Sequence, residues 1–97
     1  VNGYQLSRKA VADLSGIWDY TAEHWGIEQA ERYIGNIRDA CKTLACGQQR
    51  GQDASHIRHG YRKQLTGAHI LFFRTLDDGD IQIVRILHQR MDAARHL

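Results

Sequence analysis

An imidazole, a guanidinium, a thioether and a carboxylate stand close together at His88, Arg90, Met91 and Asp92, directly after the apolar run that begins at Ile81. Two kinds of chemistry suit that set. In the first, His88 moves a proton while Arg62, Arg74, Arg85 or Arg90 clamps a phosphate, the combination that nucleic-acid cleavage needs. In the second nothing reacts. Arg90 offers its planar fork to an acidic surface, Met91 anchors in an apolar cleft, and Asp92 pairs with a neighbouring basic group and orients the segment. The second reading is favoured, with His88 as a hydrogen-bonded residue at a strand end. His88, Arg90, Met91 and Asp92 are therefore the candidate target contacts. Arg85 is a separate case: it interrupts an apolar strand face, so it requires a carboxylate, a partner or water.

Other chemistries find little support. His56-x-x-His59 has ligand-like spacing, but no Cys or third ligand stands near it in sequence, so no metal is expected. There is no glycine-rich phosphate loop and no nucleophile-elbow pattern, and no cofactor is expected. Cys41 and Cys46, five apart around a helix end, are poorly spaced for a disulfide and read as free thiols in a reducing cytoplasm. No apolar run approaches membrane-spanning length, and no signal-peptide pattern is seen.

With 97 residues, the chain reads as one domain over 1–97. A formal charge of +2 is too mild to announce direct nucleic-acid binding. The charge is uneven, however. Residues 1–49 carry five basic and six acidic side chains, whereas 50–97 carry eight and five, together with five of the six histidines. An anionic partner should meet the second half.

The elements that must position these residues follow from periodicity. Tyr4-Gln5-Leu6 reads as a short strand and Ser7 as an N-cap. Ala10, Leu14, Ile17, Trp18, Thr21 and Trp25 recur at the 3.6 period of an amphipathic helix from Arg8 to Trp25, closed by Gly26. Ile27, Ala30, Ile34, Ile37, Cys41 and Leu44 mark a second helix, closed by Gly47. So short a connection makes the two an antiparallel hairpin, with Trp18, Trp25 and Tyr33 as packing residues. The proline-free stretch 47–60 reads as a surface loop. Tyr61 to Leu65, His69 to Leu76 and Ile81 to His88 read as strands, joined by turns at Thr66-Gly67 and, in primed form, at Asp78-Gly79. The fold class is α+β, a helical hairpin packed on a small antiparallel sheet.

Strict alternation places Ile70, Phe72 and Leu76 on one face and Leu71 and Phe73 on the other. In the last strand it groups Ile81, Ile83 and Leu87, with Arg85 between them, against Val84 and Ile86. Two helices can cover only one side. An apolar face is therefore expected to stay open for a partner, rimmed by Arg62, Lys63, Arg74, Arg85 and Arg90, unless the 47–60 loop or the tail folds across it.

The runs Ile17 to Gly26, Gln29 to Tyr33, Gly60-Tyr61-Arg62-Lys63, Gly67-Ala68-His69, Phe72-Phe73-Arg74 and Val84 to Asp92 together resemble the ParE toxins of bacterial toxin–antitoxin modules. The most specific is Arg85-Ile86-Leu87-His88-Gln89-Arg90-Met91-Asp92. The resemblance implies a fold shared with the RelE ribosome-dependent ribonucleases. It also implies a non-enzymatic inhibitor of DNA gyrase, neutralised by a ParD-type antitoxin with a ribbon-helix-helix N-terminus and a C-terminal segment that folds onto the toxin. DNA would be met only through that antitoxin. On this reading Trp18, Arg62, Phe73, Arg74 and Arg85 are the candidate antitoxin contacts. A RelE-like mRNA ribonuclease is the alternative, weakened because Arg90 to Leu97 contains no tyrosine.

Overall fold

The computed structural model describes residues 3–97, in which a helical hairpin lies on one face of a five-stranded sheet. The elements are β1 (Tyr4–Leu6), α1 (Arg8–Trp25), α2 (Ile27–Ala45), β2 (Gln52–Asp53), β3 (Arg62–Thr66), β4 (His69–Thr75), β5 (Ile81–His88) and a single helical turn, α3 (Ala93–His96). The sheet order is β1-β5-β4-β3-β2, antiparallel except that β1 runs parallel to β5.

The hairpin forms where its sequence punctuation lies. The Ser7 hydroxyl accepts from the Ala10 N–H at 3.0 Å and donates to the Val84 carbonyl at 2.6 Å, so one residue caps α1 and ties it to β5. Gly26, at φ 93, closes α1 through its N–H on the Ala22 carbonyl and opens α2 at the same step. The helices bury Ala10, Ile17, Ile34, Ile37, Cys41 and Leu44 against Leu71, Phe73, Ile81, Ile83 and Ile86. Burial lifts the Cys41 thiol to about 11, so it is an inert core group. The ends of the two apolar stripes do not join this core. Trp25 is 72% exposed and Ile27 63%, on either side of the Gly26 elbow. The expected packing role therefore holds for Trp18 and Tyr33, which are half-buried, and not for Trp25.

Three sequence expectations are corrected. Strict alternation fails in β5, because Phe72 pairs with Arg85 while Phe73 pairs with Ile83. Val84 is the extra residue of a bulge, and every side chain beyond it changes face. Ile86 thus joins Ile81 and Ile83 under the helices, and Leu87 goes to the far side. The turn after β4 is not of the primed type either: Gly79, at φ 90, has positive φ and Asp78 does not. The Gly79 N–H bonds to the Leu76 carbonyl and the Leu76 N–H to the Asp80 carbonyl, giving a three-residue loop with glycine at its left-handed position.

The third correction concerns the second face of the sheet, which is closed. Phe72, Leu87 and Ala54 are 1%, 2% and 0% exposed there, packed with Ile57, Tyr61, Ile70, Ala93 and Leu97. The covering comes from the loop and the tail. Gly51, at φ 66, passes so close to β3 that an added Cβ would lie 2.6 Å from the Lys63 carbonyl oxygen. β2 then pairs with β3, and the Ala54 N–H to Tyr61 carbonyl bond closes the compact turn 54–61. Asp92 caps α3 by accepting from the Ala94 N–H at 3.2 Å, which folds the tail back over the sheet.

Candidate functional site

A shallow groove runs between α1 and the His69–His88 end of β4 and β5. One half is lined by Asp13, Gly16, Ile17, Tyr20, Ile86 and Met91, and the other by Thr21, Trp25, Gln29, Tyr33 and Ala68. His69 and His88, partners in the β4–β5 register, line both halves. Tyr20, Trp25 and Met91 are exposed along it.

Each groove residue has a local reason for its position. Gly67, at φ 60, allows the β3–β4 turn to meet the Tyr33 ring, where an added Cβ would lie 2.8 Å from ring atoms. The Tyr33 hydroxyl accepts from the Ala68 N–H at 3.0 Å and lies 2.6 Å from His69 Nδ1. Donation to His69 is the arrangement that leaves the phenol hydrogen satisfied, and it puts the hydrogen of neutral His69 on Nε2. Burial first, and the neighbouring His88 second, hold His69 below its ordinary pKa, while Asp13 opposes them. The two imidazoles meet edge to face, 5.3 Å between centroids.

His88 is held the same way from the other side. Its Nδ1 accepts the Arg90 N–H at 3.1 Å, and its carbonyl accepts the Met91 N–H at 2.9 Å. Because a peptide N–H can only donate, neutral His88 also carries its hydrogen on Nε2. These bonds turn the chain sharply after β5 and present Arg90 and Met91 to solvent. Asp92 stays with its own turn, capping α3 and lying 3.5 Å from Arg95.

Arg85 has its carboxylate. Its Nε and Nη2 donate to Asp13 at 2.8 and 3.0 Å, and its Nη1 donates to the His96 carbonyl at 2.9 Å. Asp13 also accepts the Ile86 N–H at 2.9 Å, closing the edge of β5 beyond the end of β1. The Asp13 hydrogen bonds hold the Arg85 pKa above its ordinary value. Arg85 thus joins α1, β5 and the tail, and does not stand free on a rim.

The five candidate antitoxin contacts are not brought together. Trp18 is half-buried against the main core. Phe73 is 3% exposed beneath the helices, so it offers no accessible surface. Arg62 donates to the Arg50 and Gly51 carbonyls at 2.8 and 3.1 Å and fastens the loop. Arg74 is exposed, with its Nε on the Gln82 side-chain oxygen at 2.9 Å. The groove residues Asp13, Tyr20, Tyr33 and His69 were missed as site residues. For Asp13 a signal existed: it falls three residues after Ala10 and four before Ile17, on the apolar stripe of α1, as Arg85 falls within an apolar strand. Two opposite charges on two buried surfaces call for each other.

Residues 4–93 match the family described as the ParE toxin of the type II toxin–antitoxin system parDE. Toxin ParE1 of Mycobacterium tuberculosis is 45% identical over 94 residues, covering 97% of this chain and 96% of its own. Toxin ParE1 of Caulobacter vibrioides is 39% identical over the same coverage, and Toxin ParE of Escherichia coli 33% over all of this chain and 94% of its own. A solved structure described as a chromosomal ParDE TA system from P. aeruginosa superposes with a TM-score of 0.76 at 27% identity, covering 90% of this chain and 95% of that one.

Proposed function

The chain belongs to the ParE toxin family of type II toxin–antitoxin systems, and on that premise we propose that it disables DNA gyrase by binding it through His88–Asp92, and that a ParD-type antitoxin neutralises it by filling the adjacent groove. The observation that carries this reading is that the groove and the segment after β5 share residues. His88 and Met91 belong both to the groove wall and to the exposed segment. A segment seated in the groove therefore covers part of what the target must touch.

The action is binding, not catalysis. Arg90 supplies a directional fork for an acidic surface and Met91 an adaptable apolar anchor. Asp92, occupied as a cap, orients both. A disordered acidic and apolar antitoxin segment would order on the groove, with Arg74 as an outlying cation. DNA is reached only through the ribbon-helix-helix part of the antitoxin, and the site of action is the cytoplasm, where gyrase works.

One observation favours a second reading. Two imidazoles 5.3 Å apart beside Arg90 have the composition of a proton-transfer pair with a phosphate clamp. Expression in cells with and without the antitoxin separates the two. Double-strand DNA breaks with intact mRNA, relieved by antitoxin, are expected; cleaved mRNA with intact DNA would replace gyrase binding by the ribonuclease reading.

A further inference from the structure

The groove carries an unanswered pair of donors. His69 Nδ1 is taken by the Tyr33 hydroxyl and His88 Nδ1 by the Arg90 N–H. Both imidazoles therefore hold their hydrogen on Nε2. Neither Nε2 has a partner among the described residues, and neither is sealed from solvent, since no half-buried side chain there leaves a fully buried polar atom unpaired. The acid lining the groove cannot answer them: Asp13 is engaged by three donors from Arg85 and Ile86. The surrounding wall, Ile17, Tyr20, Ile86 and Met91, is largely apolar. Two N–H donors on such a wall favour an acceptor, and an anionic one most. The same Nδ1 bonds disfavour a metal here, because a neutral imidazole bound through Nε2 needs its hydrogen on Nδ1, where Arg90 N–H allows none.

We propose that His69 and His88 together read one carboxylate on the antitoxin segment that fills the groove, each through its Nε2–H. This inference rests on the antitoxin reading above and gives it a residue-level specificity. The occupant is a segment in which an Asp or Glu lies among apolar side chains. The apolar groups take the α1 wall and Met91, while the carboxylate takes the two imidazoles. Donation requires no protonation of either ring, so the Tyr33 and Arg90 bonds stay intact on binding. A segment with an amide or an apolar group at that position leaves two donors desolvated and unpaired, which supplies discrimination against non-cognate antitoxins.

The test is a double-mutant cycle by calorimetry. The probe is a synthetic peptide covering the C-terminal half of the cognate ParD-type antitoxin, with each Asp and Glu changed in turn to Asn or Gln. On the toxin side, His69→Gln and His88→Gln keep a donor near the Nε2 position, whereas His69→Leu and His88→Leu remove it. The Gln and Leu variants lose the Nδ1 acceptor alike, so their difference reads the Nε2 donor. The Gln variants should bind within about threefold of wild type and the Leu variants about tenfold or more weaker. One acidic position of the peptide should cost wild type a similar factor when amidated and cost the Leu variants nothing further. A peptide that binds wild type but shows no acidic position coupled to either histidine overturns this inference and leaves antitoxin binding standing. Failure of the peptide to bind wild type at all overturns both. Should a Leu variant fold poorly, the amide series on wild type decides alone: unchanged affinity at every acidic position overturns the proposal.

Discussion

Asp13 and Arg85 show how much a single side chain can organise. Two guanidinium bonds and one backbone N–H converge on Asp13, and Arg85 passes the tie on to the tail. Each side chain keeps 15% of its surface in water, so the pair is worth less than a fully enclosed one, whose breakage costs about 3–5 kcal/mol. Asp13→Ala should cost about 2 kcal/mol in urea denaturation, with Arg85→Ala no worse; full wild-type stability in Asp13→Ala would show that the guanidinium finds water instead. His69 gives a pH dependence whose sign follows from its environment. Its folded pKa lies below the ordinary 6.5, chiefly through burial and then through His88, with Asp13 opposing. The unfolded chain therefore takes up the proton first as the solution is acidified. This contribution is complete above the ordinary value and drains away as pH falls through it toward the depressed one. The melting temperature should thus drop between about pH 7.5 and pH 5.5, and less steeply in His69→Phe than in wild type; equal slopes would remove His69 from the account.

At the scale of elements, most of the hairpin was legible because its signals are local. A serine cap, a 3.6 period and a glycine stop lie within the residues they control, and α1 spans the expected Arg8–Trp25. The strand pattern was legible up to Phe73 for the same reason, with Ile70 and Phe72 on one face and Leu71 and Phe73 on the other. It failed beyond Ile83 because a bulge is a relation between two strands and leaves no periodic mark on either. Val84 thereby sends Leu87 to the second face, where it meets Phe72. The covering of that face was not legible in detail: the 54–61 turn is held by backbone bonds, which carry no side-chain signature. For the candidate site, the exposure of Arg90 and Met91 was readable from their polar surroundings, whereas Tyr33 and His69 come together only where α2 meets the β3–β4 turn. A chain ending at Asp92 tests the tail. It would lose the Arg85 to His96 carbonyl bond and the Ala93 and Leu97 contacts. The expected cost is about 1–3 kcal/mol, with new binding of a hydrophobic dye over Phe72 and Leu87. An unchanged melt and no dye signal would mean that the loop alone seals the face.

For the whole molecule, the second face is closed, so the proposed contacts fall on the groove and the segment beside it. The helical hairpin forms one wall, the ends of β4 and β5 form the floor, and the turn at His88 carries Arg90 and Met91 outward at one end. Under the proposed function, the masking site and the acting site would lie side by side with two residues in common, and antitoxin and target would compete for one surface. Arg90, which we assign to the proposed acting site, is exposed and makes no side-chain bond among the described residues, so its removal should leave the fold intact. The most direct measurement is inhibition of gyrase supercoiling by the purified toxin, wild type against Arg90→Ala, each with and without antitoxin. Wild type should inhibit, antitoxin should restore supercoiling, and Arg90→Ala should lose at least about tenfold in potency while still binding antitoxin. Supercoiling untouched by wild-type toxin, or inhibited equally by Arg90→Ala, would contradict the account.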